Sequence, residues 1–220
     1  YSSKLDAAQH LIQSALDVSR MGSELCGVAL IGANIIHGSP LANGSTKPLI
    51  TASDILTIEG SLVHTLYYIS DIRAQLSQVS IQDLPISNTQ KAQVTSLLPL
   101  LPKAENMITQ AQGLIGPLSW LLGVGHPRRF LIQTMDRAEL RPGGGFTGQY
   151  GILQIQDGRM SRLSLTDITQ LDYAENGTAI GRQAPPAYSW MTFPNWGVRD
   201  SNLSGDFPTT AQMTMGLFED

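Results

Sequence analysis

The chain has 220 residues, 42% of them hydrophobic and 15% charged, with a formal net charge of −4 and a pI near 5.5. That is enough apolar material for a core, and the acidic balance argues against duplex nucleic acid as a main partner. Gly (21) and Pro (12) stay near average usage, which excludes a collagen-like chain, and the single cysteine, Cys26, excludes an internal disulfide framework or a cysteine-rich zinc site.

Residues 4–125 read as helical. Leu5, Ala8, Ile12, Ala15, Val18, Met21, Leu25, Val28 and Ile35 recur at three- and four-residue steps, which predicts one long amphipathic helix. The Gly-, Ser-, Pro- and Asn-rich stretch His37 to Pro48 breaks it. Ser53 is the expected N-cap of a second helix running to about Val79, with Ile55, Ile58, Leu62, Leu66, Ile69, Ile72 and Leu76 on one face. Pro85 ends that region. A third helix starts at Asn88 or Thr89, and Pro99 and Pro102 must interrupt or kink it. A short helix from Pro117 to Leu122 closes this half, which predicts a bundle or a long helical hairpin. His10, His37 and His64 have no partner at ligand spacing. No stretch reaches the roughly 20 apolar residues of a membrane span.

Residues 126–220 change character. Phe130 to Met135 has strand length. Thr147 to Gln156 and Arg159 to Thr166 alternate, and Asp157-Gly158 between them is a strong hairpin signal. A two-residue turn sets Gln156 opposite Arg159, Ile155 opposite Met160, Leu153 opposite Arg162, Ile152 opposite Leu163 and Tyr150 opposite Leu165. Both faces are partly apolar, which predicts a mixed sheet covered by helices on both faces, an α+β or α/β arrangement. A last helix begins near Thr209. The expected division is a helical region over 1–125 and the first part of an α/β domain over 126–220. The start at Tyr1 and the end inside a helix lead us to expect a piece of a longer protein.

Lysine is absent after Lys103. The eight basic residues from position 126 onward are Arg128, Arg129, Arg137, Arg141, Arg159, Arg162, Arg182 and Arg199. Arginine's planar fork suits carboxylate or phosphate. Arg137 and Arg141 share the segment Met135 to Gly148 with Asp136, Glu139 and the run Gly143, Gly144, Gly145. Such a loop fits an anion cradled by backbone N–H groups, or a structural loop whose charges pair with one another. It matches neither a P-loop nor a dinucleotide fingerprint. Around Arg199, the residues Asp200, Asn202 and Asp206 carry oxygens suited to a hard cation but miss calcium-loop spacing; turn and helix-cap roles fit them equally. Asp167 and Asp172 are further carboxylates within chain reach of these loops. Tyr188, Trp190, Phe193, Trp196 and Phe207 are dense enough for a ligand-stacking wall, a partner surface or ordinary packing. No nucleophile triad and no metal motif is visible.

The run Phe130-Leu-Ile-Gln, Glu139-Leu-Arg-Pro-Gly-Gly-Gly-Phe-Thr-Gly-Gln-Tyr-Gly151 and Arg199-Asp-Ser-Asn-Leu-Ser-Gly-Asp-Phe-Pro208 resembles a bacterial family, Domain of Unknown Function 4012. The resemblance covers about residues 126–215. It implies an extracytoplasmic, cell-surface protein anchored by an N-terminal membrane helix that precedes this chain. A looser similarity is to the LytR–CpsA–Psr cell-wall glycopolymer transferases. By that analogy Arg137, Arg141 and Arg199 would bind phosphate oxygens, and Asp136, Asp200 and Asp206 would hold magnesium. The partner would then be an envelope glycopolymer or a lipid-linked sugar, held at a pyrophosphoryl-lipid site of a transferase. The competing reading is a non-enzymatic surface or assembly protein that meets other envelope proteins, with its arginines and acids paired internally. A third makes the helical half the working part, as a stalk or oligomerisation element marked by uncovered apolar patches.

Overall fold

The computed structural model describes residues 2–41, 47–81, 84, 86–174, 177–178, 180, 182–190 and 196–219. Pro85, Phe193 and part of the loop expected over 37–48 lie outside them. The chain forms two compact units, one of residues 1–128 with 155–160 and one of residues 129–154 with 161–220. The expected order holds, a helical region, then a sheet, then a helix, and the four-stranded sheet is antiparallel rather than mixed.

The helical unit contains α1 (Ser2–His37), α2 (Ala52–Ser77), α3 (Asn88–Leu97) and α4 (Leu100–Leu121). The N-cap of α2 is Thr51 rather than Ser53. The Asp54 N–H donates to the Thr51 hydroxyl and the Thr51 N–H donates to the Asp54 carboxylate at 2.8 Å, a reciprocal pair that leaves Ser53 inside the first turn. Ser87 and Gln90 cap α3 the same way, so the helix begins at Asn88 as expected. The separate helix expected from Pro117 does not form, because α4 runs on through that proline to Leu121. One proline removes a single backbone bond, and the rest of the ladder continues across it. Pro102 sits in the first turn, where a missing N–H costs nothing. Among the described residues no helix is long and apolar enough to cross a membrane.

Ile50, Leu62, Ile69, Ile72 and Ile115 are the buried centre of this unit. Polar bonds fix how α1 meets α2. The Ser61 hydroxyl donates to Glu24 at 2.6 Å, His64 lies 3.0 Å from the other Glu24 oxygen, and His10 pairs with Gln75. Hydrogen bonds from Ser61 and His64 hold the Glu24 carboxyl below its usual range, while burial opposes them. A depressed carboxylate adds stability above its unfolded value that is lost as pH falls through the folded one. Asp71 acts with the opposite sign, because Asp17 facing it raises its carboxyl. The difference between wild type and Glu24→Gln isolates the first effect. The variant is expected to melt lower at neutral pH by about 1 kcal/mol, and the gap should close below about pH 4, read by far-UV circular dichroism.

The turn at Asp157-Gly158 has two residues, both at positive φ (50° and 79°), as a type I′ hairpin requires. It is clamped within the helical unit. The Asp157 carbonyl accepts from Leu49 at 3.0 Å and Ile50 at 3.3 Å, and the Gly158 N–H donates to the Leu122 carbonyl at 2.9 Å. Arg159 donates to the carbonyls of Ser39 and Lys47.

The sheet is built from β1 (Arg128–Asp136), β2 (Phe146–Gln156), β3 (Arg159–Met160) and β4 (Thr166–Asp167), with β2 pairing with each of the others. The expected register holds at Gln156–Arg159 and Ile155–Met160. Further along it slips by one. Tyr150 faces Thr166, not Leu165, and residues 161–165 carry no strand, so the pairs expected at Leu153–Arg162 and Ile152–Leu163 do not form as a ladder. Ser161 is the cause. The Gln154 N–H donates to the Ser161 hydroxyl at 3.0 Å, where a ladder would offer a backbone carbonyl. Helix α5 (Phe207–Glu219) follows, and its Phe218 meets Tyr150 edge-on at 6.1 Å.

Candidate functional site

The second unit has an unusually polar interior. Beside Ile168, Trp196, Val198 and Leu203, it buries Thr147, Asp172, Asp200, Ser201, Asn202, Thr210 and Thr214. Hydrogen bonds carry much of that burial, although the Thr147 hydroxyl and the Asn202 amide oxygen have no hydrogen-bond partner among the described residues. Ser201 donates to the Val198 carbonyl at 2.7 Å and shares a hydrogen bond with Thr214 at 2.6 Å. The Asn202 amide donates to the Gly145 carbonyl, and the Gly143 N–H donates to the Asn202 carbonyl at 3.0 Å. These two bonds tie the glycine loop to the segment that contains Arg199.

Through this interior runs a line of alternating charges: Asp172, Arg199, Asp200, Arg141. Asp172 follows a short 3₁₀ turn (Ile168–Leu171), and its Oδ1 accepts the Val198 N–H at 2.8 Å. Gly197 makes that approach geometrically allowed, since a Cβ there would overlap the carboxylate. The Arg199 Nε lies 3.6 Å from Asp172 and 3.5 Å from Asp200, and the Arg141 Nη2 lies 4.0 Å from the other Asp200 oxygen. The Arg141 guanidinium also sits 5.5 Å from the centre of the Phe146 ring. Burial pushes the Asp172 carboxyl up; the Val198 N–H and Arg199 offset this only in part. For Arg199, burial works against the charge, but a hydrogen bond with Tyr173 and the charges of Asp200 and Asp172 outweigh it and hold the group protonated.

Of the three arginines expected at an anion site, two come together. Arg141 and Arg199 share Asp200, whereas Arg137 is exposed in the turn after β1 and lies outside this line. Gly143 and Gly145 permit close approach, but to the chain itself. A Cβ on Gly143 would come within 2.7 Å of the Asn202 carbonyl oxygen, and one on Gly145 would overlap the Asp136 carbonyl. The Gly144 N–H donates to the Arg141 carbonyl at 3.0 Å, so two N–H groups of the glycine run are spent internally.

The three acids suggested for magnesium hold three separate posts. Asp136 accepts the Ala138 N–H at 2.8 Å in an Asx turn. Asp200 closes the 3₁₀ turn Val198–Asp200. Asp206 caps α5, accepting from the Thr209 N–H and hydroxyl, which hold its carboxyl below the usual range. Among the described residues no group of three or more His, Cys, Asp or Glu is placed to share a metal ion. Of the aromatic residues, Trp196 is buried with Tyr188 stacked on it at 5.6 Å, while Trp190 and Phe207 are exposed. Sequence reasoning noted Asp172 but did not select it, and it missed Asn202 and Thr147 as interior polar groups. The signal for Asp172 was Gly197, a glycine next to Val198-Arg-Asp that only the tertiary approach explains.

The class defined by these observations is a helical region joined to a small antiparallel sheet whose loops enclose a neutralised charge line. Residues 125–220 match the family described as Protein of unknown function (DUF4012), and over that span the chain is similar to its members. No curated protein and no solved structure matches the chain.

Proposed function

We propose that this chain belongs to a non-enzymatic assembly protein of the bacterial cell envelope, and that its helical unit docks on a second copy through α4. The observation that carries this reading is an apolar stripe on α4 at alternating steps of four and three: Leu100, Ala104, Met107, Ala111, Leu114, Leu118, Leu121. Its five large members are between 44% and 69% exposed. A seven-residue repeat of apolar positions is what a facing helix needs, since it keeps the seam straight along a supercoiled pair. Glu105, on the far side of α4, meets Arg73 of α2 at 2.6 Å, and Ile115, on the flank beside the stripe, is buried in the helical unit.

A second copy fits this stripe better than an unrelated helix. Leu100, Met107, Leu114 and Leu121 sit at one seam position, and Ala104, Ala111 and Leu118 at the other. In an antiparallel pair much of the bulk of one copy falls against the two alanines of its mate. The envelope setting rests on the family resemblance. A transferase role of the LytR–CpsA–Psr type, with a lipid-linked sugar and magnesium, would need Arg137, Arg141 and Arg199 to converge on an anion. Arg141 and Arg199 are instead engaged by Asp200 and Asp172, which supports the assembly reading over the catalytic one.

Sedimentation equilibrium at micromolar concentration tests this. Wild type is expected to self-associate. Met107→Glu with Leu114→Glu should weaken association on the order of a hundredfold, because each copy brings two charges into an apolar seam. A wild-type chain that stays monomeric, or a variant that associates equally well, would remove the proposal.

A further inference from the structure

A second feature of the helical unit is independent of the α4 stripe. Where α1, α2, α3 and the start of α4 meet, they enclose a groove of about 330 Å³. Its walls include Leu11 and Ala15 of α1, Ile72 and Leu76 of α2, Val94 of α3 and Leu101 of α4. The side chains are aliphatic, and the one polar group among the lining residues, the Ser14 hydroxyl, already donates to the His10 carbonyl at 2.9 Å. Val18 and Leu97 stand half-exposed at the same groove.

We propose that this groove binds one unbranched aliphatic chain, such as the tail of an acyl lipid, with the polar head left in solvent. The lining is aliphatic apart from Ser14, which suits a ligand with no polar group along its length. The size selects this occupant. The volume is roughly twice that of the ~150 Å³ apolar cavity that stays dry and takes up benzene. At about 30 Å³ per methylene, close to the volume of a water molecule, it holds about ten carbons. The chemistry selects it too. Among the described residues no aromatic ring lines the groove to stack a planar ligand, and no free polar side chain lies inside to hold a head group or a bound water. Ala15 leaves the room: with Ser14 it is one of the two small residues among otherwise larger aliphatic neighbours.

Titration calorimetry of the full chain with sodium decanoate and with 1-decanol tests this. Saturable binding of one molecule per chain is expected for both, with affinities within about threefold, because the head does not enter the groove. Ala15→Phe fills the space from α1 and should weaken binding at least tenfold with far-UV circular dichroism unchanged. Should that variant misfold, Val94→Trp fills the groove from α3 and is expected to do the same. Met107→Glu with Leu114→Glu should leave decanoate binding unaltered, which separates this proposal from self-association through α4. Absence of saturable binding to wild type, binding of decanoate but not decanol, or wild-type affinity in a folded filling variant would each overturn it.

Discussion

Replacing Asp172 by Ala is expected to destabilise the second unit by about 3–5 kcal/mol, the cost typical of breaking a buried charge pair from one side. The pair itself need not be favourable for this loss to occur. Burial raises the Asp172 carboxyl, so its charge is costly to bury, and Arg199 and the Val198 N–H compensate for that cost. Removing the carboxylate takes one of its two acids away from Arg199 and leaves the Val198 N–H without its acceptor. Asp172→Asn retains an acceptor for Val198 and removes the charge, so it should cost clearly less than the alanine. It should also change the pH dependence. A carboxyl raised on folding favours the folded state when protonated, so that contribution falls as pH rises from the ordinary aspartate range through the raised value. Asp172→Asn is expected to lose that slope. The two units need not unfold together, so the readout must be local. Trp196 is the buried tryptophan, while Trp120 and Trp190 are exposed, and the near-UV circular dichroism signal in a urea melt follows its surroundings. A loss below about 1 kcal/mol for Asp172→Ala would mean that the charge line is peripheral.

Most of the helical half was legible because its information is local. Apolar residues at three- and four-residue steps name a helix and its inward face whatever it packs against. The cap of α2 was misread because Thr51 and Ser53 are equally good caps by type. Only the return bond from Asp54, three residues after Thr51, separates them. Pro117 was overweighted, since a single lost bond does not end a helix whose backbone ladder continues beyond it. The hairpin at Asp157-Gly158 was legible for the same local reason, and its register held for two pairs. It then slipped because one serine hydroxyl took a ladder bond. Alternation in sequence describes faces and does not register a side chain that imitates the backbone.

The candidate site was legible as chemistry and not as geometry. Its arginines, acids and glycines stand out in composition. Whether they meet a ligand or one another depends on approaches between residues far apart in the chain. Asp172 and Arg199 are brought together by the 197–200 turn, and the run Gly143 to Gly145 is closed down by Asn202 and Asp136. A glycine needed because another part of the same chain passes close by looks, in sequence, like one reserved for a phosphate.

Three neighbouring glycines separate crowding from backbone strain. Gly143→Ala meets crowding alone, since its Cβ would lie 2.7 Å from the Asn202 carbonyl oxygen. Gly144→Ala meets strain alone, because φ is +109° and the nearest atom is the Met135 sulfur at 3.9 Å. Gly145→Ala meets both, with φ at +150° and a Cβ that would overlap the Asp136 carbonyl. Strain of this kind costs of order 1–3 kcal/mol, and a backbone that must shift in a packed unit costs a similar amount again. Gly145→Ala is therefore expected to lose about 4 kcal/mol and to be the worst of the series. Gly148→Ala, with open space and ordinary φ, should stay within about 1 kcal/mol of wild type. Near-UV urea melts of the four variants give the order. An open cradle kept vacant for an anion predicts a different one, in which Gly145→Ala folds as well as Gly148→Ala because nothing of the protein's own occupies the space. Finding that order would return the loop to the ligand-binding reading.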